Sequence, residues 1–178
     1  MLKRILSFVT VAISLALLQS SLAQEPASEN VKTRLNKQET IDQMLKVGRM
    51  SAQQQNSKVD ALWKNLSAGK TPRSDFLFCM GLAYLGNYKA QRCVASAYEN
   101  GRGIVEDQLE AYTWYAVALQ NKISDPDDEQ TIQADKERVM DRLLAAYPHP
   151  TEDELDDMVG ARQTRMTQYQ DDMKKAKK

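Results

Sequence analysis

Residues 90–119 read AQRCVASAYENGRGIVEDQLEAYTWYAVAL, and the spacing within that stretch decides the fold. Ala90, Ala95, Ala111 and Ala118 are small residues at helical intervals, which lets two helix axes approach closely. Gly101 and Gly103 flank a single residue, so the backbone can turn sharply between two antiparallel helices. Asp107 stands where a side chain can cap the second helix. Ile104 and Val105 are expected to drop into the groove between the helices, with Tyr98 and Trp114 filling the remaining space. These residues are scaffold: they indicate a helical hairpin and name no ligand.

The same stretch resembles the Sel-one-like repeat, a subclass of tetratricopeptide-like helix pairs. That repeat reads roughly A-x3-L-G-x2-Y, then G-x-G-V-x2-D, then A-x2-W-Y-x2-A. Ala90, Val94, Ala95 and Tyr98 match the first helix, and Gly101, Gly103, Ile104 and Asp107 the loop. Ala111, Trp114, Tyr115 and Ala118 match the second helix. Ala95 stands where glycine is usual, Ile104 replaces valine, and Asn121 takes the place of the closing glycine. Met80-Gly81-Leu82-Ala83-Tyr84 is a fainter echo of the first helix. The resemblance implies an adaptor that presents stacked helix pairs to a protein partner. Exported members of the family are associated with envelope assembly, polysaccharide export or host contact. One repeat cannot bury its apolar face alone, so flanking helices must cap it.

Outward from the repeat, composition points the same way. The 178 residues include only 7 glycines and 5 prolines, a mix that favours helix. No segment alternates with period two for long enough to make a strand, so the expected class is all-α. A helical segment is expected over residues 38–70, ended by Gly69 and Pro72. Its middle, Ser51 to Ser57, is polar, so either one long helix passes through it or two helices meet there. The repeat region covers residues 74–123, with helices Phe76–Leu85 and Lys89–Glu99 and a third from near Asp107. Capping helices cover residues 128–174: Glu129–Ala146 after a turn at Ser124 to Asp128, and another opened by a Thr151/Glu154 capping box. The Lys174 to Lys178 tail is expected to fray.

Residues 1–23 have the layout of a secretory signal peptide. Lys3 and Arg4 precede an apolar run from Ile5 to Leu18, and Ser21 and Ala23 mark a cut between Ala23 and Gln24. The run is too short for the roughly 18–20 residues that cross a bilayer. A periplasmic or secreted protein is expected, with a polar leader over residues 24–37 and no integral membrane span after cleavage.

In an oxidising compartment Cys79 and Cys93 become a disulfide candidate. Their midpoint is Gly86. A hairpin bent there sets the two face to face, whereas a straight helix would part them by roughly 21 Å. Two buried free thiols are the alternative.

Other chemistry is sparse. The 24 basic and 24 acidic residues balance, so there is no basic field for nucleic acid. His149 is the only histidine, which leaves a hydrolase triad or a metal site short of members. The acid pairs Asp127-Asp128 and Asp156-Asp157 lie in acidic strings that read as solvated helix starts. No cofactor, metal or catalytic residue is expected. The reading is a non-catalytic adaptor; a cell-wall-active hydrolase and a helical periplasmic chaperone are its rivals.

Overall fold

The computed structural model describes residues 35–178 except Lys70, Tyr147 and Lys178. The signal peptide and nearly all of the leader fall outside the described residues. Among the described residues the chain is all-helical: α1 (Lys37–Val47), α2 (Ala52–Ser67), α3 (Arg73–Tyr84), α4 (Tyr88–Glu99), α5 (Gln108–Leu119), α6 (Pro126–Ala145) and α7 (Glu152–Ala176). No described helix is long and apolar enough to cross a membrane.

Local chemistry sets the boundaries. The N-terminal segment is two helices, because Ser51 and Gln54 form a reciprocal capping box that starts α2. The glutamine-rich stretch has a task there: Gln55 Nε2 donates to the carbonyls of Val47 and Met50, both at 3.2 Å, closing the end of α1. Three expected boundaries need correction. Helix α3 begins at Arg73 rather than Phe76, since Pro72 takes the cap position without a side-chain bond and Asp75 lies inside the first turn. Helix α6 begins at Pro126: the Asp125 side chain caps it, and proline at its first position presets the helical φ. Helix α7 extends to Ala176, past the expected bound at residue 174, with Lys174 and Lys175 paired to Asp171 and Asp172 and set against the negative end of the helix.

Helices α3 and α4 form the hairpin expected at Gly86, which adopts φ +91°. The Asn87 side chain caps α4, accepting from the Ala90 N–H at 3.0 Å. Gln91 Nε2 reaches back to the Ala83 carbonyl at 3.0 Å, so the two helices run antiparallel. The α4–α5 loop turns through Gly101 at φ +63° and Gly103 at φ +75°. A Cβ on Gly103 would stand 3.2 Å from Phe76 Cβ and from the Thr71 carbonyl oxygen, so this loop docks tightly on the start of α3. The Asp107 N–H bonds the Tyr98 carbonyl at 3.0 Å, and the Asp107 side chain caps α5. Ala90, Ala95, Ala111 and Ala118 have no exposure, as close approach of α4 and α5 requires. Ile104 is buried in this region, but Val105 is 58% exposed, contrary to expectation. The two residues are adjacent in an extended loop, and only one side of it faces protein.

Successive contacts order the remaining helices. Asn56 meets Asn87, Asp60 meets Lys89, and Trp63 meets Arg92. Tyr88 meets Asp128, Arg92 meets Asp135, and Glu99 meets Arg138. Positions advance together in both series, so α2, α4 and α6 run in one direction. Helices α1 and α3 run alongside each other likewise, through Glu39 with Arg73 and Gln43 with Gly81. Because α4 is antiparallel to both α3 and α5, those two also share a direction. Helix α7 then crosses α5, α3 and α1 in turn.

Candidate functional site

The residues that carry the repeat resemblance all lie in the α4–α5 hairpin and the loop that joins it. Trp114 is fully buried, and the Tyr98 ring meets Phe76 edge-on at 5.5 Å. Burial pushes the Tyr98 and Tyr115 hydroxyls well above their ordinary pKa. Cys79 and Cys93 are both buried and meet across the α3–α4 hairpin. The hydrogen bond to Cys93, and then burial, push the Cys79 thiol up.

A polar network joins α4, α5 and α6, and its centre is Glu99, a side chain only 2% exposed. Tyr115 donates to Glu99 at 2.9 Å, Arg138 binds both carboxylate oxygens at 2.9 Å, and Arg142 adds a third contact at 2.9 Å. Burial alone would raise the Glu99 pKa; hydrogen bonds from Arg138 and Tyr115, with the charge of both arginines, outweigh it and hold the carboxyl below its ordinary range. It is therefore ionised and fully partnered, which suits a structural clamp rather than a proton donor. Arg138 also pairs with Asp135 at 2.8 Å, and Asp135 with Arg92 at 3.3 Å. Partners 39 or more residues apart are not marked by any local pattern, and the sequence reading missed this network.

Carboxylates do line one cavity. Asp60, Asp128, Trp63, Tyr88, Lys89 and Arg92 border a space of about 210 Å³. Its charges are committed, however: Lys89 lies 3.7 Å from both Asp60 and Asp128. The Arg92 guanidinium sits 4.4 Å above the Trp63 ring, where a sugar would stack. Tyr88 donates to Asp128 at 2.9 Å; burial and that carboxylate push its hydroxyl up to about 12. His149 lies with Glu154 and Asp157 beside an open groove, and among the described residues no cluster has the ligands for a metal ion.

The most distinctive chemistry lies beneath α7. Its buried residues fall at Leu155, Val159, Arg162, Met166 and Met173, with half-buried Tyr169 in the same series. That spacing of four, three, four, three, four makes one continuous stripe. In the middle of it Arg162 enters a cage built by α3 and α5. Its guanidinium lies 4.8 Å from the Trp114 ring centre, donates to Tyr84 Oη at 3.2 Å and pairs with Glu110. Burial works against the charge, but Glu110 and Tyr84 more than restore it, and the pKa is raised. Tyr84 is clamped between the edge of Trp114 at 5.4 Å and the stacked face of Tyr169 at 4.9 Å. Gln170 Nε2 bonds the Tyr84 carbonyl at 2.7 Å, and Asp172 pairs with Lys37 of α1 at 2.7 Å. The sequence offers Arg162 as one basic residue among many, and only the crossing of α7 over α5 and α3 reveals its partners. No protein-family model, curated protein or solved structure matches the chain.

Proposed function

We propose that the chain is a non-catalytic protein–protein interaction module, exported and built on Sel-one-like helical hairpins. The supporting observation is the α4–α5 hairpin. Its glycine-hinged loop, buried alanines and buried Trp114 support that reading, next to helices that stack in two co-directional sets. A scaffold of this kind offers long helix faces, which suits recognition of another protein.

The test is capture of the mature chain, crosslinked in its export compartment. A single partner recovered in fixed stoichiometry is the expected result. Suppression of client aggregation at substoichiometric amounts would favour the chaperone reading instead. Release of soluble fragments from purified cell-wall material would favour the hydrolase.

Export also bears on the cysteines. Cys79 and Cys93 face each other, so in an oxidising compartment they form a disulfide across the α3–α4 hairpin. A loop of that size stabilises the fold by roughly 3 kcal/mol. Intact mass before and after reduction, with thiol alkylation, checks both points: a chain starting at Gln24 and alkylated only after reduction is the expected result.

A further inference from the structure

The α3–α5 face carries a cage for an arginine whose ring wall, hydroxyl and carboxylate all come from α3 and α5. Tyr84, Trp114 and Glu110 supply an aromatic surface, a hydroxyl acceptor and a carboxylate, all from helices that pack through other contacts. A helix needed only to cover an apolar face would place leucine or methionine at position 162. Burying a guanidinium costs far more desolvation than burying either, so the site is shaped for a cation. Two independent features mark α7 as an imperfect occupant. The indole N–H of Trp114 is wholly buried with no acceptor. Gly160 lies inside α7, two residues before Arg162, where a Cβ would meet nothing within 4 Å; packing does not require glycine there, and it weakens the helix.

We propose that this face is a docking groove for an amphipathic helix of a partner protein. That helix presents an arginine with apolar residues three positions before it and four after it. Helix α7, with Val159, Arg162 and Met166 in that register, is the resident occupant and is displaced on binding. This deepens the interaction-module reading and rests on it.

The experiment uses the full mature chain and a fluorescent peptide of residues 152–176 as the probe. Hydrogen exchange on the unmodified chain should show α7 amides opening at least tenfold faster than those of α4 and α5. Gly160→Ala, which fits without a clash, should slow that opening about fivefold. Arg162→Ala empties the cage and should bind the peptide at least tenfold more tightly than the unmodified chain does. The peptide with alanine in place of its arginine should lose that gain. Helix α7 amides as protected as those of α4 and α5, or peptide binding indifferent to both arginine substitutions, would overturn the proposal. Because the first readout needs no partner, it stands apart from the capture experiment. A captured partner whose footprint lies on α2, α4 and α6, with α7 still closed, would overturn the groove and leave the adaptor.

Discussion

Helix α4 is held on one side by α5 and on another by α6, and the two seams are made of opposite materials. On the α5 side the seam is made of small residues without exposed surface, Ala90 and Ala95 in α4 and Ala111 and Ala118 in α5. Towards α6 helix α4 sends Arg92 and Glu99, which meet Asp128, Asp135, Arg138 and Arg142 through ion pairs. The first seam is non-directional and scales with the area removed from water. The second depends on geometry and on protonation, because a buried charge is tolerated only when its partners are in place. The α4–α5 hairpin is therefore fastened internally by packing, and ion pairs to α6 add direction to the apolar burial of Ile132, Val139 and Leu143. Helix α7 combines the two, with buried Leu155, Val159, Met166 and Met173 beside the Arg162–Glu110 and Lys37–Asp172 pairs.

Four substitutions probe this contrast. The largest effect is expected for Trp114→Ala, which empties the apolar seam and removes the wall of the arginine cage. It should cost about 3–5 kcal/mol in urea unfolding. Glu99→Gln attacks the charged seam and should cost about 1–3 kcal/mol, because it weakens a buried acceptor while Arg138 and Arg142 keep partial access to water.

The two seams should also separate by pH. The folded Glu99 pKa is depressed, so its contribution is complete above the unfolded-chain value of about 4.3 and is lost as pH falls towards the folded value. Urea titrations between pH 3 and pH 7 should show a shallower acid loss in Glu99→Gln than in the unmodified chain; equal slopes would place the acid sensitivity elsewhere.

Gly103→Ala should cost about 1–2 kcal/mol, since φ +75° disfavours any Cβ and Phe76 stands 3.2 Å from where it would sit. A thermal melt detects it. Val105→Ser should change stability by no more than about 0.5 kcal/mol, for the side chain faces solvent. A larger loss would return Val105 to the inter-helix groove in which the sequence alone would put it.

What could be read in advance follows the range of each interaction. Gly86, Asp107 and the Thr151/Glu154 box act within a few residues of themselves, so their spacing announces them. The Ser51/Gln54 box is equally local, but the glutamines around it disguised it as a featureless polar stretch. Pro126 lies in a stretch, Ser124 to Asp128, whose composition indicates a turn, yet the first position of a helix accepts proline. Val105 was assigned by its hydrophobicity, and the backbone direction at the loop decided otherwise. The arginine cage and the Glu99 clamp join residues 16 to 78 positions apart. Nothing in periodicity or composition encodes such pairings before the helices have crossed.

The Lys37–Asp172 contact joins the first turn of α1 to the last turns of α7, so the helical body begins and ends at the same place. Such a chain can be recut. A short flexible bridge from the end of α7 to the start of α1, with new termini opened in the segment after Ala145, leaves every helix intact and reverses the order in which α7 and the rest are made. In that permuted chain α7 is synthesised first, and the face that it covers forms against it.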